Sequence, residues 1–218
     1  MADTITAEAL KAYKATHPDR NIVCYVNSTA EVKALSDVCV TSSNAEKIIR
    51  HFKGEKLTYV PDKNLGNYLA KQYNIDMDVW PGFCCIHNNL TVHQVKTMQA
   101  KYPGYKFIVH PEAPLDVIEM ADYVGSTKGL LEYVKTQPHK GYIVGTEEGI
   151  LHQMKKQTAD KDIVLLTEDL LCKSMKKTTL ETLYEALRDN KHQIEVDAAI
   201  AKPARKALDL MLKLSAVS

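Results

Sequence analysis

The chain repeats itself, and the repeat decides what it can fold into. Laid without a gap, "ITAEALKAYKATHPDRNIVCYV" from Ile5 matches "LTVHQVKTMQAKYPGYKFIVHP" from Leu90, an offset of 85 residues. Thr6 falls on Thr91, Leu10 on Val95, Pro18 on Pro103 and Val23 on Ile108. The match continues with Glu31 and Val32 over Asp116 and Val117, and Asp37 over Asp122. "VTSSNAEKII" lies over "GSTKGLLEYV", and "LTYVPDKNLGNYLAKQ" over "KGYIVGTEEGILHQMKKQ" at nearly the same offset. Self-similarity at a fixed period marks repeated supersecondary units. Two copies of one architecture follow.

Each copy reads alike. A helix capped by Thr6 or Thr91 comes first, then an apolar strand, "NIVCYV" or "KFIVHP". A helix, "AEVKALS" or "LDVIEMA", leads to a short strand, "VCV" or "YVG", a Ser/Thr/Gly turn and another helix. A third strand, "LTYVP" or "GYIVG", precedes a further helix. Strands alternating with helices at this pace predict α/β units with parallel sheets. The expected fold is α/β: two pseudo-repeated three-layer units with short parallel sheets, at 1–85 and 86–172, and a helical segment at 173–218.

The cysteines keep the same register. Thr91 lies seven residues past Cys84, and Thr179 seven past Cys172. One unit earlier, an equivalent cysteine falls just ahead of Met1, so the chain is expected to start immediately after a third such position. The N-terminus "MADTITAEALKAYK" has no basic and apolar leader, and no apolar run approaches a bilayer span. A cytosolic protein is predicted, in which thiols stay reduced. Taken singly, a cytosolic cysteine is more often a small buried hydrophobe, and Cys24 and Cys39, inside apolar strands, keep that reading. Recurrence at equivalent places points Cys84 and Cys172 to a shared axis, where thiolates suit soft metals and iron–sulfur clusters. Cys85 is expected to point away if Cys84 points in.

Polar residues collect at predicted strand ends, where open α/β sheets place their ligands. Tyr25 aligns with His110 and Asn27 with Glu112. His110 beside Glu112 makes an acid/base pair near neutral pH. His87 stands three residues past Cys84. The turns Thr41–Asn44 and Gly125–Gly129 precede helices and serve either as plain caps or as anion sites. "PDKNLG" (Pro61–Gly66) and "GTEEG" (Gly145–Gly149) add charged turns at the same end. A net charge of +1 gives no field for nucleic acid or an acidic membrane. No Walker A, GxGxxG, HExxH or GxSxG motif is present.

The stretches "YVNSTAEVKALSDVCVTSSNA", "PDKNLG", "WPGFCCIH", "VHPEAP", "ADYVGSTKG", "IVGTEEGILH" and "CKSMKKTTLE" run from end to end, and with them the chain strongly resembles quinolinate synthase, the iron–sulfur enzyme of NAD biosynthesis. The resemblance implies three pseudo-equivalent α/β domains around a central 4Fe–4S cluster, each giving one cysteine. It implies condensation of iminoaspartate with dihydroxyacetone phosphate and dehydration to quinolinate. Carried over, Cys84 and Cys172 match cluster ligands; Tyr25, Asn27, Ser42, His87, His110, Glu112, Ser126 and Thr127 match substrate-site residues, with Tyr25, His110 and Glu112 moving protons. The first domain and its cysteine are expected to be absent, so that a missing segment or separate chain supplies them. Where the family has another residue beside its middle cysteine, this chain has Cys85; the equal spacing to Thr91 and Thr179 favours Cys84. The competing expectation is a non-catalytic two-domain remnant that binds a carboxylate ligand or partner without a functional cluster.

Overall fold

Two four-stranded parallel sheets carry the repeat in the computed structural model, which describes residues 1–216. The first is built from α1 (Ala7–Thr16), β1 (Arg20–Tyr25), α2 (Ala30–Ala34), β2 (Val38–Val40), α3 (Ala45–His51), β3 (Lys56–Val60), α4 (Lys63–Tyr73) and β4 (Met77–Val79). The second follows as α5 (Val92–Lys101), β5 (Lys106–Val109), α6 (Leu115–Ile118), β6 (Tyr123–Val124), α7 (Thr127–Thr136), β7 (Gly141–Gly145), α8 (Ile150–Gln157) and β8 (Asp162–Leu165). Strand orders are β2-β1-β3-β4 and β6-β5-β7-β8. The α/β class and the paired parallel sheets match the sequence reading. Register repeats too: Cys24 pairs with Cys39 and Val60, and 85 residues on Val109 pairs with Val124 and Gly145.

The helices start where their side chains permit. Thr6, Thr29, Asp62, Thr91, Ser126 and Thr179 each accept a backbone N–H from the first turn that follows. Such a cap contributes about 1 kcal/mol. Leu10 and Val95, four residues past their caps, are 0% exposed and seat α1 and α5 on their sheets. Burying an aliphatic side chain this fully stabilises by about 1.5–3 kcal/mol. Asp37 and Asp122, another matched pair, accept the N–H of Ile22 at 2.7 Å and of Phe107 at 2.9 Å, tying the turn after α2 or α6 to the central strand. Cys24 and Cys39 are buried in the first core, as their strand context predicts.

Each sheet has one strand more than the sequence reading expects. β4 is three residues with an acid at its centre, and none of them is fully buried. β8 buries only Ile163 fully. Short edge strands of this kind carry too little apolar signal to separate from a loop.

Two helices follow, α9 (Leu180–Asp189) and α10 (Ala198–Ala216). α10 returns to the first sheet, packing on α2, β2 and α3, where Ala207, Met211 and Leu214 join the core. Asn44 donates to Ser215 Oγ and Lys47 to the Ser215 carbonyl. α9 behaves differently. It has the capping box of α5, yet Leu183, which stands four past the cap as Leu10 and Val95 do, is 49% exposed. Leu180 and Leu187 are exposed beside it. No described helix is long and apolar enough to cross a membrane.

Candidate active site

The C-terminal ends of the central strands open on one cavity of about 740 Å³. Tyr25 ends β1, His110 follows β5, and Thr146 follows β7. The cavity collects Tyr25, Asn27, Ser42, Cys84, His87, His110, Glu112, Thr127 and Cys172, residues that lie far apart in sequence. Of the side chains expected there, Ser126 is not on the wall. Its hydroxyl accepts the Gly129 N–H at 3.2 Å, capping α7, and the residue lines an adjoining cleft with Tyr68 and Tyr123.

His87, His110 and Glu112 form one buried network. His87 Nδ1 donates to Glu112 Oε2 at 2.8 Å and its Nε2 to Thr146 Oγ1 at 3.0 Å. The two imidazoles stack at 4.8 Å. His110 Nδ1 accepts the Glu112 N–H at 3.4 Å, and its Nε2 donates to Ser42 Oγ at 3.3 Å. Thr146 was not anticipated; the only sequence signal is its place in the "GTEEG" turn.

The charges sort themselves by partner. Burial opposes a cation at His87, but hydrogen bonds to Cys84 and Glu112 outweigh it and raise His87 to about 10. Burial likewise opposes charge on Glu112, but the His87 hydrogen bond and both imidazoles hold it at about 2. His110 has no such partner: burial, with the His87 charge adding and Glu112 opposing, lowers it to about 4. Burial first, then the Glu112 charge and hydrogen bond, push the Tyr25 phenol well above its usual range. At neutral pH the site therefore holds a His87–Glu112 ion pair, a neutral His110 and a protonated Tyr25.

His110 will stay neutral as pH falls from 8 to 5, its ring resonances constant in an NMR titration, whereas a free imidazole titrates near 6.5. The unfolded chain takes up that proton first, so His110 makes folding less favourable as pH falls from 6.5 towards 4. His87 has the opposite sign. Its stabilisation is complete below 6.5 and is lost as pH rises towards 10.

Cys84 and Cys172 are half-buried on the cavity wall, one from the end of each repeat. Cys84 Sγ, a His87 nitrogen and a Glu112 oxygen lie within 4.8 Å of one another. Cys85 is the more exposed of the two neighbours. It borders the same cavity, because the pair sits in a loop where the alternation of a strand does not apply. Lys128 and Lys176 bring cationic ends to the wall. Below it, Asp62 is fully buried; burial and then the Glu112 charge raise it to about 6 against two N–H bonds that favour its anion.

Polar and titratable groups gathered over parallel strand ends define an α/β enzyme site. The family model described as Quinolinate synthetase A protein matches residues 1–213. The chain is 44% identical over 215 residues to the quinolinate synthase of Alkaliphilus metalliredigens, covering 98% of this chain and 71% of that protein. Identity is 43% to the Caldicellulosiruptor bescii quinolinate synthase, with the same coverage. It is 39% over 216 residues to that of Clostridioides difficile, covering 99% of this chain and 71% of the relative. The chain belongs to the quinolinate synthase family, transferases of NAD biosynthesis.

Proposed function

We propose that the cavity is where iminoaspartate and dihydroxyacetone phosphate condense and dehydrate to quinolinate, with release of phosphate and water. The observation that carries this reading is that Cys84 and Cys172 meet the Tyr25, His87, His110 and Glu112 side chains on one cavity wall. The donor set suits an iron–sulfur cluster: two half-buried thiols from equivalent loops, on a wall that a further ligand can complete. Cys84 and Cys172 would give a 4Fe–4S cluster two of its thiolate ligands, and the cluster would supply Lewis acidity to the dehydration.

The chain's own groups do the rest. Lys128 on the wall favours anionic substrates, while the His87 cation is paired with Glu112 and Lys176 with Glu147 and Glu148. Thr127, in the first turn of α7, offers a hydroxyl beside the backbone N–H groups of a helix start, which suits carboxylate or phosphate. Ser42 and Asn27 orient the substrate from the first unit. Protonated Tyr25 donates a hydrogen bond or a proton, Glu112 holds Tyr25 and His87 in place, and neutral His110 exchanges a proton at Nε2 beside Ser42. Positioned proton transfer contributes about a hundredfold or more, so Tyr25→Phe or Glu112→Gln in the cluster-loaded three-unit protein is expected to lower quinolinate formation by about that factor with iron content unchanged. Undiminished turnover in both would remove them from the chemistry.

We read 1–85 and 86–172 as the two units and 173–218 as a helical segment. The 215 matched residues are 71% of the Alkaliphilus relative, which leaves about 88 of its residues outside the match, close to one 85-residue repeat. A third unit of this build, bringing a third cysteine, completes the cavity and covers Leu180, Leu183 and Leu187 of α9. It is supplied by a further segment or a separate chain. The same reading places the protein in the cytoplasm, where its five free cysteines stay reduced.

A further inference from the structure

The two charged turns, "PDKNLG" and "GTEEG", do one thing twice. Asp62 Oδ1 accepts the Leu65 N–H at 2.8 Å, and its Oδ2 accepts the Cys84 N–H at 2.8 Å. Glu147 lies 85 residues later. Its Oε2 accepts the Gly149 N–H at 2.8 Å, and its Oε1 accepts the Cys172 N–H at 3.3 Å. In each unit one carboxylate just after the third strand bridges the start of the next helix and the peptide of the unit's cysteine.

We propose that Asp62 and Glu147 are positioning residues for the cluster cysteines, each fixing one thiol to its own sheet. This rests on reading Cys84 and Cys172 as ligands. Both cysteines lie in loops, so no strand ladder holds their peptides. Each cysteine's carbonyl accepts one turn bond, from the Asn88 or the Lys176 N–H, but a metal-site side chain needs placement within about 0.5 Å, which that bond alone does not give. A charge-assisted N–H bond from each peptide to a carboxylate anchored at a helix start provides it. Asp62 caps α4 with one oxygen, and Glu147 uses one to hold the Gly149 N–H just ahead of α8, so neither local bond needs the second oxygen. The other goes to the cysteine in both units, although the side chains differ in length and the loops differ by three residues.

The two anchors are unequal. Asp62 is 0% exposed and gives each oxygen one short bond. Glu147 is partly exposed, holds Cys172 by the longer bond, and shares that oxygen with Lys176 at 3.3 Å. Cys84 is the stiffer of the two thiols, and Cys172 the one that adjusts.

Asn at 62 keeps the shape but presents one acceptor in place of two. In the cluster-free 218-residue chain, Asp62→Asn is expected to speed amide exchange at Cys84, and its alkylation by iodoacetamide, by about tenfold, the worth of one hydrogen bond to a charged group. β1 and β3 amides should be unchanged. Glu147→Gln, at a more exposed position that tolerates change, should do the same at Cys172 by a smaller factor. Asp37→Asn removes a carboxylate bonded to Ile22 on another loop of the first unit and should leave Cys84 as it was. After reconstitution with iron and sulfide, Asp62→Asn should hold less iron per chain than Asp37→Asn. Unchanged exchange at both cysteines overturns the inference, as does a uniform rise across β1 and β3 that Asp37→Asn reproduces. Cys84→Ser separates the two readings: if it keeps the parent's iron, the ligand assignment falls, whatever the tether does.

Discussion

Reconstituted anaerobically with iron and sulfide, the 218-residue chain alone will take up a substoichiometric cluster and form negligible quinolinate; with a third unit it will hold a full cluster and form quinolinate. Two equivalent thiolates, Cys84 and Cys172, are too few to hold a cubane firmly against solvent. A third unit returns a thiolate and closes the cavity to water. The practical source is the part of the Alkaliphilus relative, about 88 residues, that lies outside the match, fused to this chain or added as a separate chain. α9 gives the experiment a structural control. Leu183 occupies the position that Leu10 and Val95 bury fully, but is 49% exposed. Leu183→Asp should cost this chain little folding stability, since about half of the residue already faces water, and should block rescue by the added segment. Sedimentation should show self-association of the parent that Leu183→Asp reduces, as expected of a bare apolar stripe. Full activity from the chain alone, or rescue indifferent to Leu183→Asp, would count against the third unit; a cluster-free protein that still binds a dicarboxylate would favour a non-catalytic remnant.

Much of the fold was legible because the repeat is written in the pairing register itself. Val23 over Ile108 and Asp37 over Asp122 are central-strand and strand-anchoring positions, so identical offsets in sequence become identical places in space. The site was legible for the same reason: Tyr25, Asn27, His110 and Glu112 sit at matching strand ends, which topology brings to one mouth. What sequence could not give depended on direction. Cys85 and Cys84 share a loop, and no periodicity says which way either thiol turns. Ser126 has a residue type that suits both a cap and an anion site, and the sequence does not show that its oxygen caps α7 from an adjoining cleft. Thr146 matters through a contact with His87, 59 residues away in the chain. Asp62 belongs to a charged turn in the sequence, and its full burial and its bond to the Cys84 N–H come only from the fold.

In the three-unit protein, Cys84→Ser should abolish the cluster absorbance and turnover together, while Cys85→Ser should retain most of both. The two residues are neighbours on one cavity wall, so proximity alone does not separate them. Three observations do. Cys84 has the same seven-residue spacing to Thr91 as Cys172 has to Thr179, and those threonines cap α5 and α9 with the same box. Only Cys84 brings its sulfur to the His87 and Glu112 side chains. Its peptide N–H is held by Asp62, as that of Cys172 is by Glu147, whereas Cys85 is the more exposed. A thiolate ligand replaced by a hydroxyl loses a soft anionic donor that serine does not replace near neutral pH, so the loss at Cys84 should be close to complete. Cys24→Ser and Cys39→Ser make the comparison sharp. Both thiols are buried in the first core, and replacing them costs folding stability without removing a ligand, so the folded fraction should bind iron normally. Iron per folded chain, read with far-UV circular dichroism on the same samples, separates these cases. If Cys85→Ser empties the site and Cys84→Ser does not, the repeat register places the ligand one residue too early.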